Sequence, residues 1–167
     1  RGLHFEHRSG YDGTPQFPEI IGGGVALFDL EGDGDLDVYL VQSGDLESVG
    51  LSENANALYR NDGQGRFEDV TAVAGDAGDC GYGMGVAAGD IDGDGDVDLY
   101  ITNYGPDVLL RNNGDGTMTD ITASAGLGHP GWGASAAFLD YDLDGQLDLA
   151  VTNYVQWTPD KAMVCPG

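Results

Sequence analysis

The sequence predicts an all-β protein assembled from a repeated unit of about four short antiparallel strands. Three observations predict it. The chain holds 29 glycines, yet 41% of its residues are apolar, a combination that suits a turn-rich β protein rather than a disordered one. Short apolar runs are separated by turns rich in Asn, Asp and Gly. The pattern also repeats, with Asp90 to Asp140 spaced by 50 residues and Asn61 to Asn112 by 51. A period of 40–50 residues with four strands per unit is the signature of a propeller blade. The expected architecture is therefore a partial β-propeller of about two and a half blades. The rival is a sandwich of consecutive hairpins, which gives no reason for one loop to recur at fixed spacing.

Residues 1–23 read as a lead-in, with a strand expected at Leu3-His4-Phe5-Glu6-His7 and a turn-rich stretch through Pro15, Pro18 and Gly22-Gly23-Gly24. On a strand His4 and His7 fall on opposite faces, so they read as surface or packing residues rather than a shared metal site. Repeat one spans 24–72. Gly24-Val25-Ala26-Leu27-Phe28 is a short strand, and Val38-Tyr39-Leu40-Val41 is a second one, apolar enough to be buried on both faces. Residues 43–54 read as a polar insertion, which explains why Asp29 and Asp90 are 61 residues apart. Ala57-Leu58-Tyr59-Arg60 and 66–71 then form a hairpin around Asn61-Asp62-Gly63-Gln64-Gly65, with Asn, Asp and Gly expected to supply left-handed turn conformations.

Repeat two, 84–123, copies this plan. Gly85-Val86-Ala87-Ala88 and Leu99-Tyr100-Ile101-Thr102 are its first strands, and Leu109-Leu110-Arg111 with 117–122 closes it around Asn112-Asn113-Gly114-Asp115-Gly116. Repeat three is partial, 132–157, with strands at 134–138 and 149–152. Thr102-Asn103-Tyr104 recurs there as Thr152-Asn153-Tyr154. Residues 158–167 read as a tail that continues into further sequence or meets a partner. Gly24, Ala26, Gly85, Ala87, Ala134 and Ala136 fit inner strands, where blades crowd a central axis.

Between the first two strands of every repeat lies an acidic nine-residue loop. The second reads Asp90, Asp92, Asp94, Asp96 and Asp98 at positions 1, 3, 5, 7 and 9, with Gly95 at position 6. The first holds Asp29, Glu31, Asp33, Asp35 and Asp37 around Gly34, and the third Asp140, Asp142, Asp144, Gln146 and Asp148 around Gly145. So many carboxylates repel one another unless a cation sits among them. Alternate residues of a tight loop can aim oxygens at one centre, which suits Ca²⁺, a hard ion that takes six to eight oxygens. Positions 1, 3, 5 and 9 would offer side chains and position 7 its main-chain carbonyl, so Gln146 fits there. Gly at position 6 permits the sharp turn. Mg²⁺ keeps its waters and fits less well. The loops hold neither Cys nor His, which argues against zinc.

The loop is no EF-hand. Leu40, Ile101 and Val151 stand where position 12 would need Glu, and strands rather than helices follow. Nor are the copies nine residues apart, as in a nonapeptide array. The bland alternative is that Asp and Gly merely mark turns, which leaves the triple recurrence unexplained.

Charge points the same way. With 6 basic and 29 acidic residues the net charge is −23, and 14 of the acids lie in the three loops. About three Ca²⁺ ions would bring the charge to roughly −17. Such acidity disfavours nucleic acid and anionic membrane as partners. The longest apolar run falls far short of a membrane span. The chain opens on Arg1, and a processed or partial chain is expected. Cys80 and Cys165 leave a mutual disulfide, a bond to another partner and free thiols all open. Millimolar calcium outside the cytosol suits sites of this kind.

These repeats resemble the FG-GAP or VCBS-type repeats of integrin α-subunit β-propellers, and more closely the cartilage acidic protein 1-like family. The residues that carry the likeness are Gly-Gly-Gly-Val-Ala-Leu-Phe-Asp at 22–29, the three acidic loops, Leu58-Tyr59-Arg60-Asn61 with Phe67-Glu68-Asp69-Val70-Thr71, and Leu110-Arg111-Asn112-Asn113 with Asp120-Ile121-Thr122. The resemblance implies calcium ligands at the loop positions named above, with Asp35, Asp96 and Gln146 acting through carbonyls and Glu31 longer than usual. It also implies about seven blades, more than this chain holds, so strand edges are left for further blades or a partner. Cys165 would then lie in an insertion with a partner outside this chain.

The function expected is a calcium-stabilised extracellular or periplasmic module for protein–protein interaction, or a structural subunit of a larger assembly, and not an enzyme. The alternatives are a propeller-based hydrolase or lyase, or an acidic calcium-buffering matrix protein. The chain carries neither a Gly-x-Ser-x-Gly elbow nor a His-Glu-x-x-His motif. An added acidic site beside His129 and Trp132 would be the place for catalysis.

Overall fold

The structure, a computed structural model, describes residues 2–47, 55–128 and 130–158. Its ten strands are β1 (Val25–Phe28), β2 (Asp37–Leu40), β3 (Ala57–Asn61), β4 (Phe67–Asp69), β5 (Tyr82–Gly89), β6 (Asp98–Pro106), β7 (Val108–Asn112), β8 (Met118–Asp120), β9 (Pro130–Leu139) and β10 (Asp148–Asn153). A single 3₁₀ turn, Phe17–Ile20, accompanies them, so the described residues are all-β. No helix among them is long and apolar enough to cross a membrane. Much of the 43–54 insertion, His129, and the tail with Cys165 lie outside the described residues.

Repeat one is a four-stranded antiparallel sheet in the order β1-β2-β3-β4. Tyr39 pairs with Ala26 on one side and Leu58 on the other. β2 sits inside this sheet, buried from Asp37 to Tyr39 and half-buried at Leu40, as the apolar run Val38-Tyr39-Leu40 leads one to expect. β1 alternates, with Ala26 and Phe28 inside and Val25 and Leu27 each 59% exposed. Repeat two has the same order, β5-β6-β7-β8, and repeat three contributes the β9–β10 pair. The acidic loop is in each case the connection between the first two strands.

Two strands are longer than their apolar runs. β5 begins at Tyr82 and β9 at Pro130, because each opens on a glycine-rich stretch that hides the strand signal. Those glycines answer to close approach. A side chain on Gly83 would collide with Val41, and a Cβ on Gly85 would come within 3.0 Å of Thr102 Oγ1. The far end of β6 also exceeds its repeat and pairs with β9 through Tyr104↔Trp132, Gly105↔Gly131 and Pro106↔Pro130. Repeats two and three therefore share one six-stranded sheet. The first strands of the three repeats lie side by side. A Cβ on Gly24 would meet the Gly85 backbone at 2.9 Å, and one on Gly85 the carbonyl of Ala134 at 3.3 Å. Only small residues fit that seam.

The expectation of a strand at residues 3–7 is not met. This segment lies across the end of repeat one, but it makes scattered bonds instead of a ladder. Tyr59 donates to the His4 carbonyl at 2.7 Å, Gln42 Nε2 to the Glu6 carbonyl at 3.0 Å, and the Arg8 N–H to Gln42 Oε1 at 2.7 Å. His7 is a surface residue, accepting from the Gly23 N–H at 3.1 Å. The hairpin turns need a second correction. Gly63, Gly65, Gly114 and Gly116 alone supply their left-handed conformations, and the Asn and Asp residues do not.

The main core lies between repeats one and two. Phe28, Leu30, Tyr39 and Leu58 pack with Leu99, Ile101, Leu110 and Met118. Full burial of one such leucine stabilises by about 1.5–3 kcal/mol. The returning chain at 70–79 seals this core, with the Met118 N–H donating to Ala74 O and the Asp76 N–H to Met118 O, each at 3.0 Å. A smaller cluster of Tyr82, Met84 and Trp132 joins repeat three.

Residues just before the third strands also support the layers. In repeat one, Asn56 Oδ1 accepts from the Gln42 N–H at 2.7 Å. In repeat two the equivalent acceptor is a carboxylate. Asp107 is 7% exposed and accepts from the Asn103 N–H at 2.8 Å and from Tyr100 Oη at 2.9 Å. Burial pushes its carboxyl above the ordinary Asp range, and those two donors only partly offset it. A carboxyl raised in the folded state favours folding at low pH and loses that contribution as pH rises through its folded value. Asp107→Asn, the residue repeat one uses here, is accordingly expected to raise the melting temperature at pH 8 and to do so less toward pH 4. Each kcal/mol gained is worth about 2–4 °C in a chain this size. Melts at the two pH values check it, and a gain equal at both would contradict the buried-charge account.

Candidate metal centre

Each acidic loop is built on its first residue. Asp29 accepts from the N–H groups of Gly32 (2.8 Å), Asp33 (3.1 Å) and Gly34 (2.8 Å). Asp90 accepts from Gly93 and Gly95, and Asp140 from Asp144 and Gly145. These bonds curl the chain around the carboxylate. Position 6 has φ of +91°, +98° and +91° at Gly34, Gly95 and Gly145, and a Cβ there would meet nothing within 4 Å. Glycine is thus required for conformation and not for space. Position 4 has the same demand. Gly32 and Gly93 adopt φ of +73° and +76°, and Leu143 adopts +61° in the third loop. That requirement is visible in the sequence only as Gly32 and Gly93, and Leu143 masks it.

Position 5 caps position 7. The oxygens of Asp33, Asp94 and Asp144 accept from the N–H groups of Asp35, Asp96 and Gln146 at 2.8–2.9 Å. Two of the position 7 side chains turn outward, while Gln146 Nε2 donates to Asp144 Oδ2 at 3.1 Å. The carboxylates of Asp35 and Asp96 lie against Gly63 and Gly114 of the hairpin turns. That leaves the main-chain carbonyl as the group position 7 can offer to a loop centre.

Position 9 is the most constrained. Asp37 and Asp98 are each 1% exposed. Asp37 accepts from the Leu30 and Asn61 N–H groups, both at 2.7 Å, and Asp98 from Ile91 at 2.9 Å and Asn112 at 2.8 Å. The recurring Arg-Asn that ends β3 and β7 was the sequence signal for this link. In the third loop Asp148 keeps the bond from Tyr141 at 2.8 Å but is itself exposed. Burial raises the carboxyls of Asp37 and Asp98 above their usual range against the pull of these donors, and neighbouring loop acids raise them further. A cation would relieve both effects.

Positions 1, 3 and 9 come together in two loops. One oxygen each from Asp90, Asp92 and Asp98 lies within 4.8 Å of the others, and the same holds for Asp140, Asp142 and Asp148. An all-carboxylate trio is the kind of donor set that a hard cation such as Ca²⁺ would take. The first loop gathers no such trio among the described residues. Glu31 leans instead toward Arg60, with Oε1 3.8 Å from Nε. Cys80 carries a free thiol, raised by burial, and Cys165 lies outside the described residues.

Comparison with known proteins agrees with the repeat reading. A family model described as an FG-GAP-like repeat matches residues 42–101 and again 90–151. Cartilage acidic protein 1 of Homo sapiens is 34% identical over 115 residues, which cover 65% of this chain and 17% of that protein. The chain thus spans a minor part of the length of the relative it matches.

Gly95→Ala tests the conformational account of the loop. It is expected to cost about 1–2 kcal/mol, the usual penalty for a left-handed L-residue, in urea titrations with and without calcium alike. A neutral result in both would contradict it.

Proposed function

The chain belongs to the FG-GAP-like repeat family, and from that premise we propose that it is a calcium-stabilised β-propeller segment of an extracytoplasmic protein. Its role on this reading is protein–protein interaction, or structural service in a larger assembly, and not catalysis. The observation that carries the proposal is the pair of carboxylate trios in the second and third loops. Asp90, Asp92 and Asp98 would hold one ion, and Asp140, Asp142 and Asp148 another, with Asp94 and Asp144 and the carbonyls of Asp96 and Gln146 within the same loops. The ion supplies two positive charges where the fold has concentrated negative ones.

The propeller geometry is supported by the seam of first strands, where Gly24, Gly85 and Ala134 pack in succession. Apolar residues stand open at both ends of this stack. Val25 and Leu27 are exposed on repeat one, and Leu139, Tyr141, Leu143 and Leu147 on repeat three. Faces of this kind call for cover by further blades or a partner protein. The net charge of −23 favours neither nucleic acid nor anionic lipid. The human relative is acidic by name, and this chain shares that character.

A site stabilises by RT ln(1 + [Ca²⁺]/Kd), about 2.7 kcal/mol at a hundredfold excess over Kd. Two or three sites would then rival the whole stability of an ordinary domain. The expected result is a melting temperature well above that in EGTA when millimolar calcium is present, read by circular dichroism. Asp92→Ala separates the ion from the loop, because the Asp92 side chain takes no part in a hydrogen bond among the described residues. It is expected to shrink the calcium-dependent increment without lowering the EGTA melt, because it breaks no hydrogen bond and removes a charge that opposes Asp98. Asp115→Ala, whose carboxylate accepts from the Thr117 N–H in a hairpin turn, is expected to leave the increment intact. A cooperative melt indifferent to calcium would overturn the proposal.

A further inference from the structure

Among the carboxylates expected to face a loop centre, the first loop differs from the other two in one side chain and its neighbour. Position 3 is Asp in the second and third loops, where it joins the trio, and Glu31 in the first, where it does not. We propose that Arg60 competes with a divalent ion for the first loop, so that this chain carries two classes of calcium site, with loops two and three filling first and loop one last. The inference rests on the calcium reading above and concerns how the sites differ.

Glu31 is one methylene longer than its counterparts, and that reach places Oε1 3.8 Å from Arg60 Nε. Its second oxygen is buried and takes no hydrogen bond, so the guanidinium is the cation this carboxylate faces. Arg60 is held in position from its other side, where Nη2 donates to Glu68 Oε2 at 2.8 Å across the β3–β4 pair. Repeat two supplies an internal control. Arg111 occupies the matching place on β7, but it turns to Asn113 Oδ1 at 3.3 Å, and Asp92 stays with its trio. Arginine at this place does not by itself withdraw position 3, and glutamate opposite it does. An ion entering the first loop must share the Glu31 carboxylate with Arg60 or draw it away, and in either case sits beside a positive charge held by Glu68. Both terms lower affinity, and the second acts at a distance where Coulomb energies are on the order of kcal/mol at the protein surface.

Calcium titration of the full chain, followed by calorimetry and by competition with a chromophoric chelator, tests this. Two tighter ions are expected, with a third bound about tenfold or more weakly, a gap of roughly 1.4 kcal/mol. Arg60→Gln and, separately, Glu31→Asp are each expected to tighten the third ion by on the order of tenfold and to leave the other two alone. Arg111→Gln is expected to change none of them. Three equivalent sites in the unaltered chain, or a third site indifferent to both substitutions, would overturn the inference while leaving the calcium reading intact. No calcium binding at all would overturn both, which keeps the two failures distinguishable. Melts in EGTA establish that each variant folds, and the two variants reach the same contact from opposite partners.

Discussion

The ninth residue of the first and second acidic loops holds its repeat together. Asp37 and Asp98 are almost wholly buried, yet each stays bonded to two backbone N–H groups from different elements. One donor is the second residue of the loop, and the other is the Asn that ends the third strand. The carboxylate thereby couples the turn between strands one and two to the outer hairpin. A buried carboxylate without such donors would be far too costly to keep. The loop, the end of β3 or β7 and the Asp must therefore form as one unit. Charge-assisted bonds of this kind are also stronger than neutral ones.

The same constraint is the physical ground for the proposed cation. Buried position 9 carboxylates stand next to acids at positions 1, 3 and 5, and the local field works against their ionisation. Backbone donors satisfy hydrogen bonding but carry no net charge. On the proposed reading a divalent ion would supply what the fold lacks, and loop closure and ion binding would be linked. The network continues between repeats, since Asn112 also donates its side-chain amide to the Leu30 carbonyl at 3.0 Å. Position 9 of repeat two is thus tied to the loop of repeat one.

Copies that share this frame have diverged where the frame tolerates it. Leu143 takes a left-handed conformation that glycine takes in the other loops. Asn56 and Asp107 offer equivalent acceptors with different charge. Glu31 reaches a guanidinium that Asp92 does not. In the third repeat Asp148 is exposed, and no described third strand supplies an Asn to it. The repeat is therefore a set of fixed hydrogen bonds onto which individual electrostatics are grafted.

By itself the sequence determined the all-β class, the repeat, the pairing of β1 with β2 and of β3 with β4, and the glycine at position 6. Those features are local: apolar periodicity, turn composition and a loop whose bonds span at most a few residues. It also marked Asp90, Asp92, Asp98, Asp140, Asp142 and Asp148 as residues whose spacing within one tight turn lets them converge, although the same spacing gathers no trio in the first loop. Tertiary structure alone decided the rest. The glycine-rich starts of β5 and β9 carry no strand periodicity and become strands because Val41, Thr102 and Asn153 leave room only for glycine. The bond between the end of β6 and β9 depends on where two repeats meet, as does the ladder-free course of residues 3–7. The direction Glu31 takes was hidden for the same reason. Its partner is 29 residues away, and only the pairing of β2 with β3 brings a guanidinium to a loop whose sequence resembles the other two.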